Sequence, residues 1–140
     1  MDKERILKRL DDLNSYMEEI KESIPKTLEG YTNSRKTRRI CERLLQISIE
    51  ATIDVCSLMN KELKLGAPSD EDDMFNKLKG KKIISTSMQN TLKKMKGFRN
   101  ILVHRYAEVD DELVFEFLKN DLKDFELFKK EILTFLKKQK

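Results

Sequence analysis

The chain has few of the residues that interrupt helices and few that build covalent or metal-bound frameworks. Among its 140 residues are 4 Gly, 2 Pro, 2 Cys, 1 His and no Trp. Such a composition leaves little room for long loops and favours extended helices. Cys41 and Cys56 are too few for a disulfide framework or a cysteine zinc site, and about 22 Å would separate them along one helix. We expect both to be small apolar core residues.

The sequence also lacks long hydrophobic runs. No stretch approaches the roughly 18 apolar residues that a transmembrane helix needs, so we predict no membrane partner. The first residues lead into an amphipathic pattern instead of the apolar centre of a secretion signal, which predicts a cytoplasmic chain. The length predicts a single domain over residues 1–140. A net charge of +4, from 29 basic and 25 acidic residues, permits nucleic-acid binding without requiring it.

Apolar residues recur at helical spacing through most of the chain. A narrow seam with steps of three and four predicts a first helix over residues 2–24, ended by Pro25. Residues 25–33 are expected to form a connector. Two apolar stripes predict a second helix from about residue 34 to residue 65, capped by Asn33 or Ser34. A helix that is apolar on two sides is typical of the centre of a bundle.

The second half of the sequence predicts three more helices. Ser69 is the expected cap of a short helix that ends near residue 79. The next helix begins at Ser85 or Thr86 and continues to about residue 105, with Thr86 and Gln89 in a capping box.

One last helix is expected after a cap at Asp110 or Asp111. Seven apolar positions mark it: Leu118, Leu122, Phe125, Phe128, Ile132, Phe135 and Leu136. Because no useful length alternates with period two, the predicted fold is all-α, an antiparallel helical bundle of four long helices plus one short helix.

Polar residues interrupt the apolar seam of the fourth helix. That seam reads Met88, Leu92, Met95, Arg99, Leu102 and Tyr106. A guanidinium on an apolar seam is costly unless it is paired or faces a polar cleft. Gly97, in the same helix, costs about 1 kcal/mol relative to Ala, which predicts close approach of another backbone or a ligand.

His104, the single histidine, follows Asn100 by four residues and shares its helix face. Arg99 lies about 140° away around an ideal helix, so the two side chains would not meet through a straight one. Either the helix end unwinds, or a twofold axis brings two such helices together in one cleft.

The spacing of Arg99, Asn100 and His104 resembles the signature of the HEPN superfamily of helical nucleotide-binding and RNase domains. Tyr106, two residues after the histidine, resembles the HepT toxin branch, and so do residues 42–51 and 109–112. The likeness covers most of the chain. It implies a homodimeric helical bundle with the signature at the dimer cleft, and a metal-independent RNase without a cofactor.

The same resemblance implies a partner. HepT-like toxins are usually encoded beside a minimal nucleotidyltransferase antitoxin, which can silence the toxin by transferring AMP to the signature tyrosine, here Tyr106. RNA, and not DNA, is the expected substrate. We assign His104 the general acid/base role and Arg99 the phosphate clamp, because imidazole exchanges protons near neutral pH and guanidinium matches phosphate. Asn100 would orient His104 or bind the phosphate.

Other functions fit the same residues. A non-catalytic module could hold a nucleotide in the cleft or present Tyr106 to a nucleotidyltransferase. In a purely structural interpretation Arg99 pairs with Glu42 or Glu50, His104 faces the negative end of a helix dipole, and Tyr106 is a seam aromatic with an exposed hydroxyl. A simple helical scaffold is disfavoured, since it needs neither Arg99 nor His104.

Three charged segments remain. The start of the central helix carries a basic cluster of Arg35, Lys36, Arg38, Arg39 and Arg43. This cluster is either a track for RNA phosphates or a solvated face paired with acids, and we favour the second. The acidic run over residues 70–73 is expected to complement a helix dipole instead of binding a metal. Residues 137–140 form a basic C-terminal fringe.

Overall fold

The computed structural model describes residues 1–104 and 109–139, which form seven α-helices and no strand. In chain order the helices are α1 (Glu4–Ser23), α2 (Leu28–Thr32), α3 (Arg35–Glu62), α4 (Glu71–Gly80), α5 (Thr86–Val103), α6 (Asp111–Asn120) and α7 (Lys123–Lys138). The predicted all-α fold is confirmed. Within the described ranges, no helix combines the length and apolar character needed to cross a bilayer.

Helix α3 is the central element, as its two apolar stripes predicted. It packs against α1, α2, α4 and α5. The backbone N–H of Asp2 donates to Glu62 at 2.9 Å, and Arg9 Nη2 donates to Asp54 at 2.6 Å. These contacts place the start of α1 beside the end of α3, so the two longest helices run antiparallel.

The core draws large apolar side chains from nearly every helix. Among its fully buried members are Ile6, Leu13, Ile20, Leu45, Ile49, Phe75, Leu78, Phe125 and Phe128. Each contributes about 1.5–3 kcal/mol relative to an exposed side chain. Cys41 and Cys56 are buried in the same core, as expected, and burial raises the pKa of the Cys41 thiol to about 11.

One predicted cap and one predicted capping box are wrong. Asp70, not Ser69, caps α4, because its carboxylate accepts the backbone N–H of Asp73 at 2.7 Å. The Thr86–Gln89 capping box does not form, because the cap of α5 is Ser85, whose hydroxyl oxygen accepts the N–H of the residue three positions later. Ser85 is one of the two starts that the sequence predicted for this helix.

The caps predicted for the other two helices are among the alternatives stated. Ser34 caps α3 by accepting the N–H of Thr37 at 3.2 Å. Asp110 caps α6, with Oδ1 at 3.1 Å from the N–H of Glu112 and 3.3 Å from that of Leu113.

The expected connector before α3 contains the short helix α2. Thr27 caps it by accepting the N–H of Gly30 at 3.0 Å. Tyr31 of α2 is fully buried, and its ring centroid lies 5.7 Å from that of Phe115 in α6. Burial raises the pKa of the Tyr31 hydroxyl. A helix of five residues is too short to show hydrophobic periodicity.

The single last helix was also a wrong prediction, because α6 and α7 are separate. The break falls at Asp121 and Leu122, after Asn120, and a turn there joins the N–H of Asp124 to the carbonyl of Asp121 at 3.0 Å. Helix α6 packs against α2, whereas α7 packs against α5. The bundle therefore has four long helices, as predicted, but three shorter ones instead of one.

Candidate functional site

Arg99 lies on the buried seam of α5, as the sequence predicted. The other seam positions Met88, Leu92, Met95 and Leu102 are buried. Only 17% of the Arg99 side chain is exposed, and its Nη2 donates to Glu71 Oε1 at 2.6 Å. Glu71 is the first residue of α4. The expected ion pair is therefore present, and its carboxylate comes from α4 instead of from Glu42 or Glu50.

A second contact fixes the plane of the guanidinium. Arg99 Nε donates to Asn100 Oδ1 at 3.0 Å. A guanidinium carries five N–H donors in a planar fork, and these contacts with Glu71 and Asn100 use two of them. Within residues 1–104 and 109–139 the other three N–H groups form no hydrogen bond, and a guanidinium fork matches the geometry of phosphate oxygens.

The other acidic residues at the start of α4 also form hydrogen bonds or ion pairs. Asp70 caps the helix. Asp72 pairs with Lys96 Nζ at 2.7 Å, and Lys96 lies one turn before Arg99 on α5. Asp73 accepts the backbone N–H of Ser69 at 2.9 Å. This run complements the helix dipole, as predicted. Among the described residues, no three His, Cys, Asp or Glu side chains are grouped as a metal site.

His104 stands where α5 ends. Its backbone N–H still donates to the Asn100 carbonyl at 3.0 Å, but φ is −90° and ψ is 77°, outside the helical region. The helix ends at Val103, about two residues earlier than expected. The helix end thus unwinds at His104, which is one of the two arrangements that the spacing allowed. The direction of the His104 side chain relative to Arg99 is therefore not fixed at the 140° that an ideal helix would impose.

Tyr106 and its neighbours over 105–108 lie outside the described residues, as does Lys140. The structure therefore places Arg99, Asn100 and His104 at one end of α5 and leaves the predicted modification site untested.

Gly97 was expected to allow close approach of another backbone or of a ligand. A Cβ built on it meets no atom of the described residues within 4 Å, so among those residues no second backbone approaches it. Gly97 instead lines an open groove of about 480 Å³ between α5 and α6. Ile101 and Leu113, which line the same groove, leave 48% and 43% of their surfaces exposed. Polar residues, Thr91, Lys94, Glu116, Asp121 and Asp124, line its edges, but Ile101 and Leu113 give this groove an accessible apolar patch beside the motif.

One member of the basic cluster has a structural role. Arg38 donates to the carbonyl of Thr32, and its Nε lies 3.6 Å from Asp111 Oδ2. This pair ties the start of α3 to the start of α6. The rest of the cluster, Arg35, Lys36, Arg39 and Arg43, is exposed.

Glu71 is the site residue that sequence reasoning missed. The acidic run was interpreted only as a dipole complement, although one seam arginine in need of a carboxylate and one nearby acidic helix start were both visible. Their separation of 28 positions hides the pairing until the packing of α4 on α5 is known.

Comparisons with known proteins agree with this arrangement. The family described as Ribonuclease HepT-like matches residues 13–132. The mRNA nuclease HepT of Shewanella oneidensis is 38% identical over 84 residues, which are 60% of this chain and 63% of that protein. The tRNA nuclease HepT of Aphanizomenon flos-aquae is 28% identical over 128 residues, 91% of this chain and 87% of that protein.

The fold agrees as well. The structure matches the tri-AMPylated Shewanella oneidensis HEPN toxin, solved in complex with an MNT antitoxin, with a TM-score of 0.86 and 27% identity. The match covers 96% of this chain and 99% of that chain. The family match begins within α1 and ends within α7, so it contains the Arg99–Glu71 contact and His104. The resemblance seen in the sequence is confirmed, and the chain belongs to the Ribonuclease HepT-like family.

Proposed function

We propose that this chain is the toxin of a two-component system and cleaves RNA without a metal ion. The observation that carries the proposal is the seam Arg99, held by Glu71 at 2.6 Å and followed by His104 at the unwound end of α5, in a ribonuclease family. Two relatives are an mRNA nuclease and a tRNA nuclease, which supports RNA as the substrate. We place its action in the cytoplasm, where such substrates occur.

The proposed chemistry follows from the residue types. His104 accepts the proton of a ribose 2′-OH, the 2′-oxygen attacks the adjacent phosphorus, and the 5′-oxygen leaves with a proton. Arg99 donates N–H groups to the phosphoryl oxygens as negative charge grows there. Asn100, which contacts Arg99 Nε, aligns the guanidinium and offers its NH₂ group to His104 or to the phosphate.

A homodimer supports this chemistry because each chain has a single histidine. The leaving oxygen then takes its proton from the second subunit's imidazole or from water. The apolar groove at Gly97, Ile101 and Leu113 adjoins the motif and supplies the surface for a second copy. A shared cleft would thus form along the two α5 helices.

A minimal nucleotidyltransferase antitoxin is the proposed regulator. The Tyr106 oxygen attacks the α-phosphorus of ATP, pyrophosphate leaves, and the phenolic proton is released. The added AMP brings an anion into the cleft, where its charge and bulk compete with RNA phosphate. A relative that is tri-AMPylated in complex with an MNT antitoxin supports this regulation.

The decisive test is cleavage of a labelled single-stranded RNA in the presence of EDTA. We expect the unmodified wild type to cut, and Arg99→Ala and His104→Ala to lose cutting while their circular dichroism stays helical. Full activity of His104→Ala would remove His104 from the mechanism. A folded wild type that never cuts would instead favour the non-catalytic module, which binds nucleotide or presents Tyr106.

Mass spectrometry tests the regulation separately. Incubation with the antitoxin and ATP should add AMP to the wild type and leave Tyr106→Phe unmodified and active. AMP on another residue of Tyr106→Phe would refute Tyr106 as the sole acceptor.

A further inference from the structure

A second groove, of about 730 Å³, lies between the α4–α5 turn and α7. The charged residues that line it are Lys79, Lys81, Lys82, Lys130, Lys138 and Glu131. Five lysines against one glutamate leave an excess of four positive charges in the groove. The groove is therefore strongly basic.

Glu131 is the one carboxylate that lines the groove, and Ser85, which also lines it, holds that carboxylate in place. Its Oε1 accepts the backbone N–H of Ser85 at 2.6 Å, and its Oε2 accepts the Ser85 hydroxyl at 3.2 Å. All five lysines are exposed, and none forms an ion pair with a carboxylate in the described ranges. Lys77 and Lys96, by contrast, are paired. The groove lysines thus present charge to an external anion.

The floor of the lysine groove is apolar. Ile83 and Ile84 are buried beneath it, and Phe135 is half-buried in its wall. Nucleic-acid strands bind where cations meet the phosphates and an aromatic side chain meets a base. Lysine contacts phosphate as a point charge and reads no sequence, so such a groove suits single-stranded RNA of many sequences.

The groove is remote from the motif. It opens at Ser85 and Thr86, where α5 begins, whereas His104 follows the other end of that helix. Eighteen residues span about 27 Å at about 1.5 Å per residue. About eight nucleotides spaced by about 3.4 Å would cover that length. We infer that the lysine groove is an RNA-binding exosite for long substrates, an inference that rests on the proposed function.

Binding is the first test. Lys82, Lys130 and Lys138 are changed together to Gln in a His104→Ala background, and a fluorescent RNA of about 20 nucleotides is titrated at several salt concentrations. The slope of log K against log salt is negative, and each lost phosphate contact reduces its magnitude by about 0.7. For three lost contacts the magnitude of the slope should decrease by about 2.

The matched control changes Lys26, Lys61 and Lys64 to Gln. These lysines are also exposed and lie outside the lysine groove. Each triple variant replaces one lysine whose backbone is left-handed, Lys64 at φ 53° or Lys82 at φ 59°. The effect of placing Gln at a positive φ is therefore the same in both variants. The control should keep the wild-type slope. Equal slopes for both triple variants would overturn the exosite.

Cleavage separates this inference from the proposed function. With His104 intact, the groove variant should raise KM for the long RNA about tenfold at unchanged kcat, and should cut an RNA of about four nucleotides like the wild type. Loss of the short-RNA activity would refute a purely remote role. A wild type that cuts neither RNA would refute the proposed function, while the binding slope still decides whether the groove binds RNA.

Binding of poly-glutamate tests the other class of ligand. If the groove variant bound RNA normally but lost binding of poly-glutamate, the groove would be assigned to an acidic protein and the inference would be overturned.

Discussion

At the scale of single residues, the main feature is that the guanidinium of Arg99, whose burial is energetically costly, is held in one orientation by two hydrogen bonds. Arg99 is largely buried on the seam of α5, yet Glu71 and Asn100 each accept one of its N–H groups. A partly buried charge that lost its carboxylate would be mobile and poorly compensated. Glu71 therefore acts on the proposed reaction through Arg99, as a positioning residue that keeps the remaining N–H groups aimed at one place.

Glu71→Gln is expected to lower kcat/KM for RNA cleavage about 10- to 100-fold, because misplacing a group that contacts phosphate by about 1 Å has an effect of that order. The amide still accepts a hydrogen bond but no longer holds the guanidinium by charge. The loss should fall mainly on kcat, and Glu71→Asp should recover part of it. Single-turnover cleavage in EDTA measures both.

The neighbouring ion pair supplies the control. Asp72→Asn breaks a pair of the same kind, Lys96 to Asp72 at 2.7 Å, on the same turn of α4. It should cost similar stability and leave cleavage unchanged. If both variants lost activity equally, the effect would come from loosening α4, and Glu71 would have no positioning role.

At the scale of elements, the sequence predicts what periodicity can report. The long helices and the central place of α3 follow from stripes of buried side chains, and the Arg99 anomaly stands out against such a stripe. The short helix α2 and the break at Asp121 leave no periodic signal. Both arise from tertiary packing, since α2 and α6 pack against each other while α7 turns back along α5. The Glu71 contact is hidden for the same reason.

Helix α6 is the first helix after His104 along the chain. Asp110 is its cap, accepting the N–H groups of Glu112 and Leu113. Asp110→Ala should lower the free energy of unfolding by about 1 kcal/mol and Asp110→Asn by much less, because asparagine also caps. Urea denaturation measures both. Equal losses would show that the negative charge, and not the accepted hydrogen bonds, stabilises α6.

At the scale of the whole molecule, three surfaces divide the work of the proposed toxin. The lysine groove, with its five exposed lysines, lies at one end of α5, and the motif lies at the other end. The apolar groove beside Gly97 runs between α5 and α6, next to the motif. In the proposed function a long RNA meets the first surface and is cut at the second, and the third surface is where a second copy would bind, so that two His104 side chains would serve one cleft.

Ile101→Lys tests that assembly. Its side chain is 48% exposed in the apolar groove, so lysine is tolerated in a single chain, whereas pairing would bury two new charges at an apolar contact. Light scattering at micromolar concentration should show a dimer for the wild type and a monomer for Ile101→Lys, with cleavage lost in parallel.

Leu127→Lys is the control, because Leu127 is 49% exposed on α7 and lies outside the groove. That variant should stay dimeric and active. An Ile101→Lys monomer that cuts RNA at the wild-type rate would show that one chain, with its single histidine, completes the reaction with water as the second proton carrier.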